Sequence, residues 1–399
     1  MIVLAGADLV LPDRVLERGT LVIRDGRIEA VEGRAIDGPA GATRIDCTGQ
    51  LIAPGFIDVH VHGVAGIDVL DGGSAVADIA ARLPKFGVTA FCPTSIACDP
   101  HLLAALLSAV AAAQASRSPR AARVLPAHLE SNFINPDWNG AQPRRCLRLP
   151  PQKPGVQSET PEGSFSARDI LDVIEQHRAA TGIITLAPEL PGGLDLVRDF
   201  VAAGHRVSIG HSGATFEEAR QAIEAGVRHA THLFNRMSPM APRSPGVVGA
   251  VLDADAVAAE IICDGYHVHP ALVAMAVRVK SVRRMMAITD GTAGSGLPAG
   301  SRTRLGNQTI IVTGRNAELE DGTLAGSVLT MDGAFRTLVT RVGLSLPDAA
   351  RMCATTPAAE LGLADTGSLA PGFLADLVVL GPGLTVRQTY ISGVPAVEH

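Results

Sequence analysis

The sequence predicts an α/β fold: a (β/α)8 TIM barrel with a small β-sandwich domain formed by both termini. Short β-branched runs alternate with Ala-rich helical stretches through the middle of the chain, which signals parallel strands joined by crossover helices. Eight such runs stand at 55–62, 88–94, 123–130, 183–189, 206–211, 228–233, 259–264 and 285–290. Eight βα units over about 310 residues is the size of a barrel with insertions, and a doubly wound open sheet is the rival reading. The two ends have a different texture. Leu21-Val-Ile-Arg24, Asp25-Gly26 and Arg27-Ile-Glu-Ala-Val31 read as a hairpin, and the runs 367–380 and 385–391 repeat that style. The expected division is therefore 1–52 with 369–399 as the small domain, and 53–368 as the barrel.

Composition narrows the partners. A chain of 399 residues that is 47% apolar can bury a large core, and a net charge of -6 without long single-sign blocks disfavours nucleic acid and membrane surfaces. A small molecule is the expected partner. Six scattered cysteines (Cys47, Cys92, Cys98, Cys146, Cys263 and Cys353) without framework spacing read as reduced thiols, hence a cytoplasmic protein. The N-terminus lacks a basic leader region, and the Ala/Leu run near 102–115 is too short to span a bilayer.

The strand ends carry the chemistry. His60 and His62 are two apart on an apolar strand, so their imidazoles share a face. Strand three ends at Glu130, strand five at His211, strand six at His232 and strand eight at Asp290. Barrel strands present their C-terminal ends on one face, so four imidazoles and two carboxylates are expected in one pocket. Each alone reads equally well as a capping or core polar group; it is the joint placement that points to a site. Such N and O donors suit one or two divalent ions, Zn²⁺ foremost, with Fe²⁺, Mn²⁺ or Co²⁺ as alternatives. None of the three lysines, Lys85, Lys153 and Lys280, ends a strand, which leaves Glu130 as the available bridge between two ions. Asp290, in Thr289-Asp290-Gly291, is placed to move a proton beside a metal-activated water. The loop 142–165, rich in Pro and Arg, reads either as cover over the barrel mouth or as a solvated excursion.

The motifs Pro54-Gly-Phe-Ile-Asp-Val-His-Val-His-Gly63, His128-Leu-Glu130, Leu186-Ala-Pro-Glu189, Gly210-His-Ser-Gly-Ala-Thr215, Thr231-His-Leu-Phe-Asn-Arg-Met237, Pro245-Gly-Val-Val-Gly249, Asp264-Gly-Tyr-His-Val-His-Pro270, Thr289-Asp290 and Asp321-Gly-Thr-Leu-Ala-Gly-Ser327 follow in order along the chain. Together they resemble the amidohydrolase superfamily and, within it, the N-acetylglucosamine-6-phosphate deacetylase family. The resemblance implies a homodimer that hydrolyses the acetamide of an amino sugar phosphate, with metal-bound hydroxide as nucleophile. It assigns Glu130, His211 and His232 to a common metal site, gives His60 and His62 to a second ion, and makes Asp290 the acid/base. Asn235, Arg243 and His267 fall where the family holds the phosphate, and Ala141, Arg236, Leu324, Ala325 and Gly326 supply backbone contacts.

The chain departs from that pattern in places. Ser131-Asn132 replaces a common Gly-Pro, Gln142 stands where many members have histidine, and Gly213 stands where Asn is frequent. These changes bear on substrate identity, leaving open the C4 epimer, an unphosphorylated sugar, or a cyclic amide or N-acyl amino acid. A non-catalytic scaffold would have lost the ligand set.

Overall fold

The run Val88–Ser95 is buried at every position, as a strand covered on both faces must be. In this computed structural model, which describes residues 1–34, 41–151 and 165–396, that run is part of a parallel barrel. In spatial order its strands are Phe56–Val61, Val88–Ser95, Ala127–Glu130, Thr181–Leu186, Arg206–Ile209, His229–Ala230, Ala258–Ile262 and Met285–Ile288. The ends of the series meet. The Asp290 amide donates to the His60 carbonyl at 2.9 Å, and Val61 bridges Gly291 in parallel. That closure excludes the open sheet.

Helix starts follow local chemistry. Ser166 and Thr215 cap Ala167–Gln176 and Phe216–Ala225 through reciprocal boxes with Asp169 and Glu218. Asp99 accepts from the Leu102 amide and Pro100 occupies the first turn of Pro100–Ala115. All these helices connect strands and leave the strand C-termini free.

Strands differ from expectation where backbone chemistry intervenes. The third breaks into Arg123–Val124 and Ala127–Glu130 around Pro126, which has no amide hydrogen for the ladder. The sixth stops after His229–Ala230, because His232 and Phe234 take φ of 32° and 80°, outside the extended region.

Both termini build one further sheet, ordered Val394–Pro395, Val386–Ile391, Leu377–Leu380, Leu51–Pro54, Ile2–Val10, Val15–Arg24 and Arg27–Glu32, with Thr43–Asp46 also paired to Ile2–Val10. Leu4, Leu9, Leu21, Ile23, Ile52, Leu377 and Val379 form its separate core.

A three-stranded antiparallel sheet, Arg302–Leu305, Gln308–Val312 and Ala317–Leu319, follows the eighth strand and is absent from the sequence reading. Its first hairpin turns at Gly306-Asn307, with Gly306 at φ 54°. The sheet docks beside the barrel mouth: Gly306 N donates to Asp68 Oδ2 at 2.9 Å, and Gln308 Nε2 to the Ala141 carbonyl at 2.7 Å. Of the loop at 142–165, residues 152–164 lie outside the described residues.

Candidate active site

Six side chains converge at the C-terminal ends of the strands. Glu130 Oε1 lies 2.7 Å from His211 Nε2 and 2.8 Å from His232 Nε2, and the two imidazole nitrogens are 3.1 Å apart. Beside them, His60 Nε2 is 3.2 Å from His62 Nε2, and Asp290 Oδ1 is 3.1 Å from His62 Nε2 and 3.4 Å from His60 Nε2. Glu130 lies between the two groups, with Oε2 3.7 Å from His62 and Oε1 3.9 Å from His60. His211, His232 and Asp290 have φ of 48°, 32° and 50°, conformations that cost energy in non-glycine residues and turn the chain at the pocket rim.

The outer nitrogens explain the orientation of the inner ones. Nδ1 of His62 contacts the Thr94 carbonyl at 2.9 Å, Nδ1 of His211 the Trp138 carbonyl at 2.8 Å, and Nδ1 of His232 the Asn235 carbonyl at 3.1 Å. A carbonyl accepts only, so these Nδ1 atoms carry hydrogens and each ring, when neutral, aims its Nε2 lone pair into the pocket. Lone pairs facing each other at 3.1–3.2 Å need a proton or a cation between them.

Charge follows from the same packing. Burial alone would raise the Glu130 carboxyl, but the neighbouring His211, the hydrogen bonds from His211 and His232, and His60 hold it well below the usual range. Asp290 is likewise lowered against its burial, by His60 and His62. Burial would lower His62 and His232; hydrogen bonds to Asp290 and Glu130 instead push each up to about 9 in the protein alone. Two groups, Glu130 with His211 and His232, and His60 with His62 and Asp290, thus have the geometry and donor chemistry to hold a cation.

The cavity above these groups is lined by Ala141, Gln142, Asn235, Arg236, His267, Leu324 and Gly326, along with Ile96, Ile262 and Leu305. Asn235 Nδ2 is buried without a partner, and His267 is fixed by Asp264, with Nδ1 to Oδ2 at 2.6 Å. Arg243 and Ala325 do not line this cavity within the single chain. Arg243 is exposed in a turn closed by reciprocal Ala241 and Ser244 backbone bonds of 3.0 and 3.1 Å, outside the cavity lining. Ala325 is fully buried in the core of the inserted sheet, with its amide on the Ala317 carbonyl at 3.0 Å.

The model of the amidohydrolase family matches residues 51–396. The chain belongs to that family. Among its relatives, an N-acetylglucosamine-6-phosphate deacetylase of Lysinibacillus sphaericus is 35% identical over 360 residues, covering 88% of this chain and 87% of the relative. An N-acetylgalactosamine-6-phosphate deacetylase of Escherichia coli O157:H7 is 33% identical over 393 residues, covering 98% of both. The crystal structure of N-acetylglucosamine-6-phosphate deacetylase from Pasteurella multocida superimposes over 100% of each chain with a TM-score of 0.89 at 27% identity. Membership in the amidohydrolases implies a divalent metal, which matches the donor groups described above.

Within this amidohydrolase framework, the departures noted in the sequence have separate consequences. Ser131 Oγ donates to the Thr185 carbonyl at 2.6 Å and Asn132 Nδ2 to the Cys98 and Cys146 carbonyls at 2.7 Å, so both are tied to backbone and neither lines the cavity. The Gln142 carbonyl accepts from Ala97 N at 2.7 Å while its amide donates to Glu130 Oε2. Gly213 has no space for a side chain: a Cβ there would lie 2.4 Å from Trp138 Nε1. Gly326, at φ 57°, brings the loop so close to Asp290 that a Cβ would lie 2.8 Å from its carbonyl oxygen.

Sequence reasoning missed Glu260, Trp138, Ile96 and Leu305. Glu260 carried a readable signal, as the one charged residue in the wholly buried strand Ala258–Ile262.

Proposed function

We propose that this protein hydrolyses the acetamide of N-acetylglucosamine 6-phosphate to glucosamine 6-phosphate and acetate. The observation that carries the reading is the convergence of Glu130, His211, His232 and Asp290 under one cavity that also holds the unpartnered Asn235 amide and the Asp264-braced His267.

Glu130, His211 and His232 hold one divalent cation, Zn²⁺ foremost given the N and O donors, and His60, His62 and Asp290 hold a second. When bound, the cation supplies electrophilic activation of the acetamide carbonyl and of water near neutral pH. The Asp290 carboxylate takes a proton from water as the oxygen bonds to the carbonyl carbon. It returns that proton to the sugar nitrogen as the C–N bond breaks, giving acetate and the amine. Asn235 Nδ2, the Arg236 guanidinium and the His267 ring bind the phosphate, and Ile96, Ile262 and Leu305 exclude bulk water from the acetyl group.

The working protein is a cytoplasmic homodimer in this reading. Exposed Leu272, Met275 and Val279, on the single helix Pro270–Lys280, supply apolar surface for a second copy, and six free buried cysteines suit a reducing compartment. No helix among the described residues is long and apolar enough to cross a membrane.

The 33% identical galactosamine-type relative supports a second substrate, the C4 epimer. Acetate release from N-acetylglucosamine and N-acetylgalactosamine, each with and without 6-phosphate, on metal-quantified protein separates these readings. Preference for the unphosphorylated sugars would remove Asn235, Arg236 and His267 from phosphate binding.

A further inference from the structure

Below the ligand cluster lies a buried carboxylate with no role in the reaction just described. Glu260 is fully buried in the strand Ala258–Ile262. Its Oε2 lies 2.9 Å from His60 Nδ1 and accepts from the His232 backbone amide at 3.2 Å. Its Oε1 lies 2.8 Å from His229 Nε2. One carboxylate therefore touches both groups of expected ligands, through the ring of His60 and the backbone of His232.

His60 differs from the other three imidazoles in one respect. His62, His211 and His232 rest their Nδ1 on backbone carbonyls, whereas His60 rests on an ionisable side chain. A carboxylate on Nδ1 fixes the hydrogen there, leaves Nε2 as the donor toward the pocket, and makes it a stronger one. Glu260 is itself kept from acting as a ligand of a deeper ion. His128, with Nδ1 3.5 Å from Glu260 Oε1, has that Nδ1 on the Val59 carbonyl at 3.1 Å and Nε2 on Thr185 Oγ1 at 2.7 Å, so it has no lone pair free for a cation beside Glu260.

We propose that Glu260 is the positioning residue of the His60, His62 and Asp290 half-site, holding His60 in the tautomer and orientation that allow this half-site to bind its own ion. The inference rests on the metal-dependent reading above. Glu130, His211 and His232 do not need Glu260 side-chain support in the same way, because the ring nitrogens of both histidines are anchored elsewhere.

The test is metal binding by full-length protein, independent of turnover. Wild type, Glu260→Gln and Glu260→Leu are stripped and titrated with Zn²⁺ against a competing chelator, with Co²⁺ absorption reporting each site and melting of the metal-free proteins reporting the fold. Wild type should bind two ions per subunit. Glu260→Gln keeps the volume and one acceptor but loses the charge, and should weaken one of the two ions by roughly 10- to 100-fold. Glu260→Leu should bind a single ion, with the Co²⁺ spectrum of the remaining site unchanged. Should Glu260→Leu fail to fold, Glu260→Gln decides. Two ions bound at wild-type affinity in Glu260→Gln overturn the inference, as does equal weakening of both, which marks a general packing role. A wild type that binds one ion refutes the second half-site itself, and that failure is visible before any variant is compared.

Discussion

The side-chain amide of Gln142 donates to Oε2 of Glu130, the carboxylate whose other oxygen faces His211 and His232. The same glutamine is anchored at its carbonyl by the Ala97 amide at 2.7 Å, so its orientation is set from outside the pocket. Gln142 therefore aligns the carboxylate of the proposed metal group even though it lines the cavity. Replacing it with alanine leaves the buried Ala97 N–H without its acceptor and frees Glu130 to rotate. Gln142→Ala should lose about 1–3 kcal/mol of stability and weaken metal binding roughly 10- to 100-fold, measured by chemical denaturation and chelator competition. Wild-type metal affinity in this variant would show that Glu130 needs no such support.

Asp290 is the only carboxylate of the cluster at the mouth of the eighth strand and is the proposed proton carrier. Asp290→Asn keeps shape and hydrogen bonding but cannot accept a proton. Turnover should fall by roughly 10²- to 10⁴-fold, while the ion between Glu130, His211 and His232 remains by elemental analysis. Retained turnover would assign the proton step to another group.

Much of this site was legible because barrel geometry turns a linear feature, the residue that ends each strand, into a spatial one. His60, Glu130, His211, His232 and Asp290 could be placed together from strand periodicity alone. Glu260 could not, since it sits mid-strand rather than at a strand end, and its carboxylate reaches His60 across the barrel interior. Arg243 lies outside the cavity lining of the single chain. It follows closely on Asn235 in sequence, but Pro239, Pro242 and Pro245 frame the turn that carries it outward. The inserted sheet at 302–319 was overlooked although Gly306-Asn307 between two alternating runs is a hairpin signal.

Metal binding should release protons. In the metal-free protein Asp290 and Glu130 draw protons onto His62 and His232 against the effect of burial, pushing each up to about 9. A cation must displace those protons, so affinity for Zn²⁺ should rise as pH increases toward 9 and level off above it. Calorimetric titrations at pH 7 in two buffers of different ionisation enthalpy measure the protons released. No net release would contradict protonated histidines in the metal-free state.

Lys280 gives a separate dependence, on stability. Burial lowers its ammonium from the ordinary 10.5 to about 8, with Asp255 opposing, while Nζ donates to the Ala254 carbonyl. Between pH 8 and 10.5 the unfolded chain therefore binds more protons at this residue than the folded one. Stability from this group rises with pH across that window and is lowest below it. Unfolding midpoints of wild type relative to Lys280→Met should increase from pH 8 to 10.5, and a constant difference would assign Lys280 an ordinary pKa.

Gly213 and Trp138 couple the pocket rim to His211, a proposed metal ligand. Trp138 packs its indole where a Gly213 side chain would be, and its carbonyl holds His211 Nδ1 at 2.8 Å. Gly213→Ala must displace the indole, and overpacking of this kind costs about 1–3 kcal/mol. Because the displaced residue also orients His211, metal affinity should fall together with stability. Trp138→Leu in the same chain removes the clash while leaving the backbone carbonyl in place. A double-mutant cycle should therefore show Gly213→Ala costing less in the Trp138→Leu background than in wild type, by denaturation and by Zn²⁺ titration alike. Strict additivity would mean that the two residues do not communicate, and that His211 is oriented by the strand end alone.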